Sequence, residues 1–274
     1  MCRFVAVAAD RPVGLDHLLL SAPHALVRQS NRDRRGLCHD SGWGVGFYTA
    51  ETPDRVRSTL PAWQDPLYRD TVERVRTRVA VGHVRLATVG RVAERNCHPF
   101  AAGRWLFAHN GTLVGFAAEP DPLLRLIPAP YRDGLDGETD SEHVFRFLLG
   151  RLDDRAGSDA DAVAAVVRDA VRDLADLYPG SDADPTRLNL IVTDGRTLVA
   201  VRWGHWLYRL DQAGPGPVAA DDGAAVRVVA LASEPVADEG WVEVPDRSVV
   251  LVRDDLTTAS LTVPGAAPAR PPPG

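Results

Sequence analysis

Whatever fold this chain adopts, it must bury a strand within a few residues of its N-terminus. Met1-Cys2-Arg3 leads straight into an apolar run from Phe4 to Ala9, and Asp10-Arg11-Pro12 stops it. A continuous, β-branched stretch bounded by a proline turn reads as a buried strand. The run is too short for the apolar core of a secretory leader and lacks the cationic lead and cleavage site. No later run reaches the roughly 18 apolar residues that a membrane span needs. A cytoplasmic protein is therefore expected.

The residue in front of that strand is a cysteine, and its position matters. A small second residue allows methionine aminopeptidase to remove Met1. Cys2 would then carry a thiol and a free α-amino group with a pKa of roughly 7.7–8.0. Such an amine can accept the thiol proton, which makes an N-terminal cysteine a self-activating nucleophile. Taken alone, a second-position cysteine reads better as a residue with no role, and only its context argues otherwise.

The wider composition narrows the function classes. The 274 residues carry a net charge of −6, which argues against nucleic acid or an anionic membrane as the main partner. Every basic residue is arginine, scattered among aspartates, and this reads as a mixed-charge surface. Three cysteines are too few, and odd in number, for a disulfide framework. Cys38-His39, Cys97-His98, His83 and His109 match no common zinc spacing, so no metal site is expected. Cys97 reads as a core or pocket-wall thiol and Cys38 as a loop thiol. Trp63, Trp105, Trp203 and Trp206 read as core or pocket-wall residues.

Periodicity gives the layout. A short helix is expected over 15–20, a loop over 28–40, and a glycine-rich strand over 42–48 whose glycines permit close backbone approach. A helix over 66–78 and strands over 79–84 and 104–109 follow. The second of these strands ends at Asn110-Gly111, a good turn dipeptide. Helices are expected from Asp140 and over 158–177, with Val163, Val166, Val167, Val171 and Leu174 at helical spacing. Strands are expected at 188–192, 197–201, 206–210, 226–231 and 249–252, with Asp194-Gly195 as a hairpin signal. Strands, then helices, then strands indicate an α+β fold. No linker divides the chain, so residues 2–260 read as one domain, followed by a disordered Pro-rich tail at 264–274.

Four elements occur together: Cys2, Gly82-His83-Val84-Arg85-Leu86-Ala87-Thr88, His109-Asn110-Gly111, and Thr139-Asp140-Ser141-Glu142. In this combination, with Gly42-Trp43-Gly44 and Asn96-Cys97-His98-Pro99-Phe100, the sequence resembles the class II glutamine amidotransferase family of N-terminal-nucleophile hydrolases. The resemblance implies a four-layer αββα sandwich and hydrolysis of a γ-glutamyl amide without cofactor. It implies Cys2 as nucleophile, Asn110 and Gly111 as oxyanion hole, Arg85 on the glutamyl carboxylate and Asp140 on its ammonium. Thr88 and His98 match positions near the same pocket. On the residues alone, the better reading is a surface ion pair for Arg85 and a helix cap with Thr139 for Asp140.

Leu86 and Val89 stand where sugar-making members carry an aromatic and a histidine. With Ala232-Ser233-Glu234-Pro235 and Gly240-Trp241, this resembles the short branch that includes the ergothioneine-pathway γ-glutamyl amidase. Three functions stay open at this point: hydrolysis of a γ-glutamyl conjugate such as γ-glutamyl hercynylcysteine sulfoxide, a glutaminase subunit feeding ammonia to a separate synthase partner, or a catalytically silent glutamine sensor. The leaving group is read by loops with no recognisable code.

Overall fold

The computed structural model describes residues 2–155 and 159–264. Of the expected tail, all but Pro264 lies outside the described residues.

The N-terminal strand is longer than its apolar run. Strand β1 spans Arg3–Gly14, with a register irregularity between Ala8 and Val13 that carries it past Asp10-Arg11-Pro12. Strict alternation sorts its residues into two cores. Phe4, Ala6 and Ala8 share a buried cluster with Ala108, Ile191, Ala200 and Val250. Val5, Val7 and Ala9 share another with Leu18, Leu26, Tyr68 and Val72.

Those two faces define the layers. The first sheet holds β1, β2 (Trp43–Tyr48), β3 (Pro53–Ser58), β4 (Arg76–Val84) and three strands from the far end of the chain. The second holds β5 (Phe100–Ala102), β6 (Trp105–Thr112), β7 (Arg187–Thr193) and β8 (Leu198–Arg202). Then β9 (Tyr208–Gly214), β10 (Val226–Ala232) and β11 (Trp241–Glu243) complete the first sheet, and β12 (Ser248–Val252) and β13 (Thr258–Thr262) the second. Their orders are β11-β9-β10-β1-β4-β2-β3 and β13-β12-β8-β7-β6-β5. All pairings in both sheets are antiparallel among the described residues. The cluster containing Phe4 and Ala108 is the filling between the sheets.

Helices close both outer faces. A one-turn π-helix (His17–Ser21), α1 (Leu26–Asn31) and α2 (Pro66–Arg74) cover the first sheet. The short α3 (Asp121–Leu126) and α4 (Ala129–Arg132) precede the long pair α5 (Asp140–Arg155) and α6 (Ala160–Leu177). Val163, Val166, Val167, Val171 and Leu174 of α6 are buried with Val144, Phe145 and Leu148 of α5 against Phe107, Leu190 and Val201. The result is the expected αββα sandwich. Helix starts follow local chemistry: Asp65 accepts the Leu67 N–H and precedes Pro66, and Asp159 accepts the Ala162 N–H.

Several local expectations shift. The helix expected over 15–20 is only the π-turn, and the loop expected from 28 begins inside α1. The helix expected to reach 78 stops at Arg74, because Arg76–Val79 extend β4. Asn110-Gly111 is not a turn; both residues lie within β6 and pair with Asn189 and Leu188 of β7. Trp206 is 38% exposed and lies beneath the Arg202 guanidinium at 4.9 Å, rather than in a core. Cys97 is buried and Cys38 exposed, as expected.

Candidate active site

The chain start is fixed by charge. Arg3 is buried and donates Nε to Glu234 at 2.7 Å, an Nη2 proton to Asp33 at 2.6 Å, and an Nη1 proton to the Cys2 carbonyl at 3.0 Å. Asp33 also accepts the Arg35 and Leu37 N–H groups and is hydrogen-bonded to His39 at 3.0 Å. Burial of Asp33 is outweighed by the Leu37 amide, Arg3 and His39, which hold its pKa below the usual range. Burial drives the His39 pKa down to about 4 despite the Asp33 contact. A residue second in a chain would ordinarily fray. Here it is tied to two other segments.

Cys2 stands at the end of β1 and is half-buried. The Leu86 N–H donates to its Sγ at 3.4 Å. Burial raises the thiol pKa above its ordinary value, although the Leu86 amide and the Arg85 and Arg3 cations oppose that. The thiol is therefore protonated at neutral pH and needs a base before it can attack.

Arg85 lies one residue past β4 and is buried. Its guanidinium donates to the carbonyls of Arg91 (3.0 Å), Val89 (2.9 Å) and Gly90 (3.3 Å). Among the described residues no carboxylate stands within ion-pair distance of it. A buried cation held only by carbonyls keeps its charge unneutralised, so it is primed for an anionic ligand. The loop that holds it is stapled in turn. Arg91 pairs with Glu138 at 3.1 Å, and the buried Asn96 donates to both the Arg91 carbonyl (3.0 Å) and Glu138 (3.3 Å). Hydrogen bonds from Arg91, then from Asn96, bring the Glu138 pKa down to about 2.

Glu138 leads directly into Thr139-Asp140. The Thr139 hydroxyl accepts the Glu142 N–H at 3.2 Å and caps α5. Asp140 is buried, accepts the Leu113 N–H at 2.9 Å, and so ties the head of α5 to the end of β6. His109 makes the same connection. Its Nε2 faces the Arg187 carbonyl (3.1 Å), which can only accept, so Nε2 carries the proton and Nδ1 accepts from the Ser141 hydroxyl at 2.9 Å.

Strand parity separates His109 from Asn110. His109 faces α5, whereas Asn110 faces the other sheet, where its amide meets the Ser233 hydroxyl at 3.2 Å. Ser233 in turn accepts the Phe4 N–H at 3.1 Å and donates its own N–H to the Phe4 carbonyl. Gly111 lies opposite Leu188, which gives its N–H to Trp203 on the far side of β7. Gly111 thus sits in a non-hydrogen-bonded pair, and its N–H points off the free edge beyond the three-residue β5. Only glycine fits there: a Cβ would stand 1.9 Å from the Arg187 carbonyl oxygen and 2.4 Å from His109 Nε2. Thr88 is exposed at the rim, its hydroxyl 3.5 Å from that of Thr112.

His98 lies elsewhere in the arrangement. Its ring is buried and packs against that of His83, with centroids 4.2 Å apart and planes tilted by 32°. Burial, then the Arg85 charge, lower the His83 pKa to about 3, and burial lowers that of His98 well below its ordinary value. The glycines of β2 make room for this segment, since a Cβ on Gly44 would stand 2.1 Å from the His98 carbonyl oxygen. The structure therefore links Cys2, Arg85, Thr88, Asn110, Gly111 and Asp140 through one run of contacts. Arg3, Asp33, Asn96 and Glu138 were not assigned roles from sequence; the visible signal was an arginine heading an otherwise apolar run. Among the described residues no group of three or more His, Cys, Asp and Glu stands close enough to hold a metal ion. Among the described residues no helix is long and apolar enough to cross a membrane.

The sequence model for class-II glutamine amidotransferases matches residues 1–271. The chain belongs to the class-II glutamine amidotransferases. Membership makes it an amidohydrolase enzyme. Among relatives of this amidotransferase, the γ-glutamyl-hercynylcysteine sulfoxide hydrolase of Mycolicibacterium smegmatis is 32% identical over 260 residues, 93% of this chain and 96% of that one. A Saccharomyces cerevisiae protein named probable glutamine amidotransferase DUG3 is 32% identical over 227 residues; the match takes in 74% of this chain and 64% of the yeast one. The fold matches a class-II glutamine aminotransferase domain protein from Silicibacter pomeroyi with a TM-score of 0.63 at 23% identity, covering 96% of this chain and all of that one. It also matches the Bacillus subtilis glutamine phosphoribosylpyrophosphate amidotransferase with a TM-score of 0.57 at 14% identity, covering 96% of this chain and 49% of that one.

Proposed function

We propose that this amidotransferase hydrolyses the γ-glutamyl amide bond of a conjugate through a Cys2 thioester and releases glutamate. The observation that carries the reading is the pairing of two groups one residue apart in contact. The Cys2 thiol rests on the Leu86 amide, and the neighbouring Arg85 is a buried cation without a carboxylate. A γ-glutamyl group brings a carboxylate at one end and the scissile carbonyl at the other, and it would bridge them.

The steps follow from the groups present. Removal of Met1 frees the Cys2 α-amine, which takes the thiol proton. The thiolate adds to the γ-carbonyl carbon, and its oxygen becomes an oxyanion held by the Gly111 N–H and the Asn110 amide. Collapse breaks the C–N bond, and the α-ammonium gives its proton to the departing amine. The Cys2 α-amine then deprotonates a water, whose hydroxide adds to the thioester carbonyl; collapse breaks the C–S bond, and the expelled thiolate takes the proton of the new γ-carboxyl group as glutamate leaves. Arg85 holds the α-carboxylate, Asp140 the α-ammonium, and Thr88 borders the pocket, with His98 buried behind it against His83. Each oxyanion donor contributes about 2.7–4 kcal/mol in such sites.

The conjugate class is supported by the Mycolicibacterium relative, matched over nearly its whole length. The test uses protein with a native N-terminus, Met1 removal verified by mass spectrometry. Glutamate release is followed from glutamine, glutathione and γ-glutamyl hercynylcysteine sulfoxide. Fast release from a conjugate with glutamine poor is expected. Glutamine as the preferred substrate, stimulated by a synthase, would instead make this a glutaminase subunit, and binding without turnover would make it a sensor.

A further inference from the structure

The Asn110 amide carries an imbalance. Its Nδ2 donates to Ser233 Oγ at 3.2 Å, while its Oδ1 is buried with no hydrogen-bond partner. The same hydroxyl already accepts the Phe4 N–H at 3.1 Å, and no acceptor among the described residues takes its own proton. Two donors thus converge on one hydroxyl oxygen, an acceptor is stranded, and a hydroxyl proton is unused. Leaving a buried acceptor unsatisfied is costly.

The two ends of a carboxamide have nearly the same shape, so a half-turn about its terminal torsion exchanges them in place. After that half-turn the Ser233 hydroxyl accepts from Phe4 N–H and donates its proton to Asn110 Oδ1. Both capacities of the hydroxyl are then used and the stranded oxygen is satisfied. The NH2 group takes the place of the stranded oxygen and has two protons to give. An oxygen there would repel a developing oxyanion; an NH2 group binds it.

We infer that Ser233 is a positioning residue that orients the Asn110 carboxamide with its nitrogen toward the reacting carbonyl oxygen. The inference rests on the proposed γ-glutamyl hydrolysis and adds to it a residue that touches neither substrate nor nucleophile. The placement of Ser233 suits the task. It follows the last residue of β10, is fastened to β1 through two hydrogen bonds with Phe4, and reaches across to β6 in the other sheet. Its neighbour Glu234 holds Arg3, which holds the Cys2 carbonyl. One dipeptide therefore sets the nucleophile strand and the oxyanion amide relative to each other.

The experiment is a double-mutant cycle on kcat and KM for the best γ-glutamyl conjugate, with melting temperatures for every variant. Ser233→Ala should lower kcat about tenfold and leave KM within twofold, because an oxyanion contact is made only in the transition state. In an Asn110→Ala background the same substitution should change kcat less than twofold. Ser233→Thr keeps the hydroxyl and should restore kcat to within threefold of wild type. Equal kcat losses in both backgrounds, no loss in either, or a change confined to KM would overturn the inference. If Ser233→Ala does not fold, a folded Ser233→Thr with a tenfold kcat loss would overturn it by itself. A wild-type protein that releases no glutamate from any γ-glutamyl compound overturns the parent reading and this one with it. Turnover without coupling in the cycle overturns only this one.

Discussion

Gly111→Ala isolates the geometry of the proposed oxyanion hole, since it adds one methyl group and changes no charge. The added Cβ would stand 1.9 Å from the Arg187 carbonyl oxygen. A normal contact is about 3.2 Å or more between such atoms, so β6 and β7 must separate by about 1 Å at this point. Neither neighbour gives easily. One is main chain of the paired strand, and the other, His109 Nε2 at 2.4 Å, is fixed by the Arg187 carbonyl and Ser141. Overpacking of this kind costs about 1–3 kcal/mol, or a fall in melting temperature of about 2–12 °C for a domain this size. The catalytic effect should be larger in proportion. A 1 Å misplacement of a catalytic group costs about 100-fold, and loss of one oxyanion donor about 100- to 1000-fold in kcat. The assay is steady-state glutamate release beside a thermal melt, with KM expected within a few-fold of wild type. A Gly111→Ala protein with wild-type kcat would refute the placement of the Gly111 N–H on the reacting oxygen, whatever its melting temperature.

Four further outcomes follow from the same contacts. Cys2→Ala should abolish turnover while keeping the fold, and measurable glutamate release by that variant would remove Cys2 as the nucleophile. Arg85→Gln should raise KM at least about 30-fold, the low end of the cost of truncating one partner of a buried, hydrogen-bonded charge pair; an unchanged KM would mean the substrate carboxylate lies elsewhere. Arg3→Met leaves Asp33 and Glu234 buried without their cation and should cost about 3–5 kcal/mol in urea denaturation, with an unchanged midpoint counting against the clamp. Stability should fall with acid. His83 has a folded pKa near 3 against an ordinary 6.5, so below about pH 6.5 the unfolded chain binds the proton and the folded one does not. Its contribution is intact above that pH and is lost progressively down to about pH 3. His83→Phe should flatten the decline in urea midpoint between pH 7.5 and 5, and an equally steep decline would refute the assignment.

The long elements and the candidate site residues were legible for different reasons. Helix α6 shows a full apolar stripe, and the central strands β1, β4, β7, β8 and β12 are nearly continuous apolar runs, because each is buried on both faces. Edge strands carry no such signal. Strand β3 reads Pro-Asp-Arg-Val-Arg-Ser, and β13 is half-exposed, so neither alternates clearly. Asn110-Gly111 misled by propensity: the dipeptide suits a turn, but pairing with β7 overrides it, and the glycine is required by a close approach rather than by a bend. Cys2, Arg85, Asn110 and Asp140 were visible through their order along the chain. The supports were not, because Asp33, Asn96, Glu138 and Ser233 act through partners 30 to 229 residues away, and no local pattern encodes such pairings.

The supports also bear on how a chain end can serve as the proposed nucleophile. Terminal residues have the fewest covalent restraints and lose the most order, whereas catalysis needs reacting groups held within a fraction of an ångström. An apolar strand alone would not resolve that conflict, because β1 pairing begins at Arg3 and stops short of Cys2. The remaining restraint is polar. Arg3 joins the Cys2 carbonyl to Asp33 and Glu234, the Leu86 amide meets the thiol, and Ser233 pins Phe4. Desolvating a guanidinium and two carboxylates is expensive, and a well-packed apolar cluster replacing all three groups together would serve stability as well or better. It could not hydrogen-bond a backbone carbonyl and two separate loops at once. The charge at position 3 is therefore better understood as fixing the direction of the chain end than as holding the fold together.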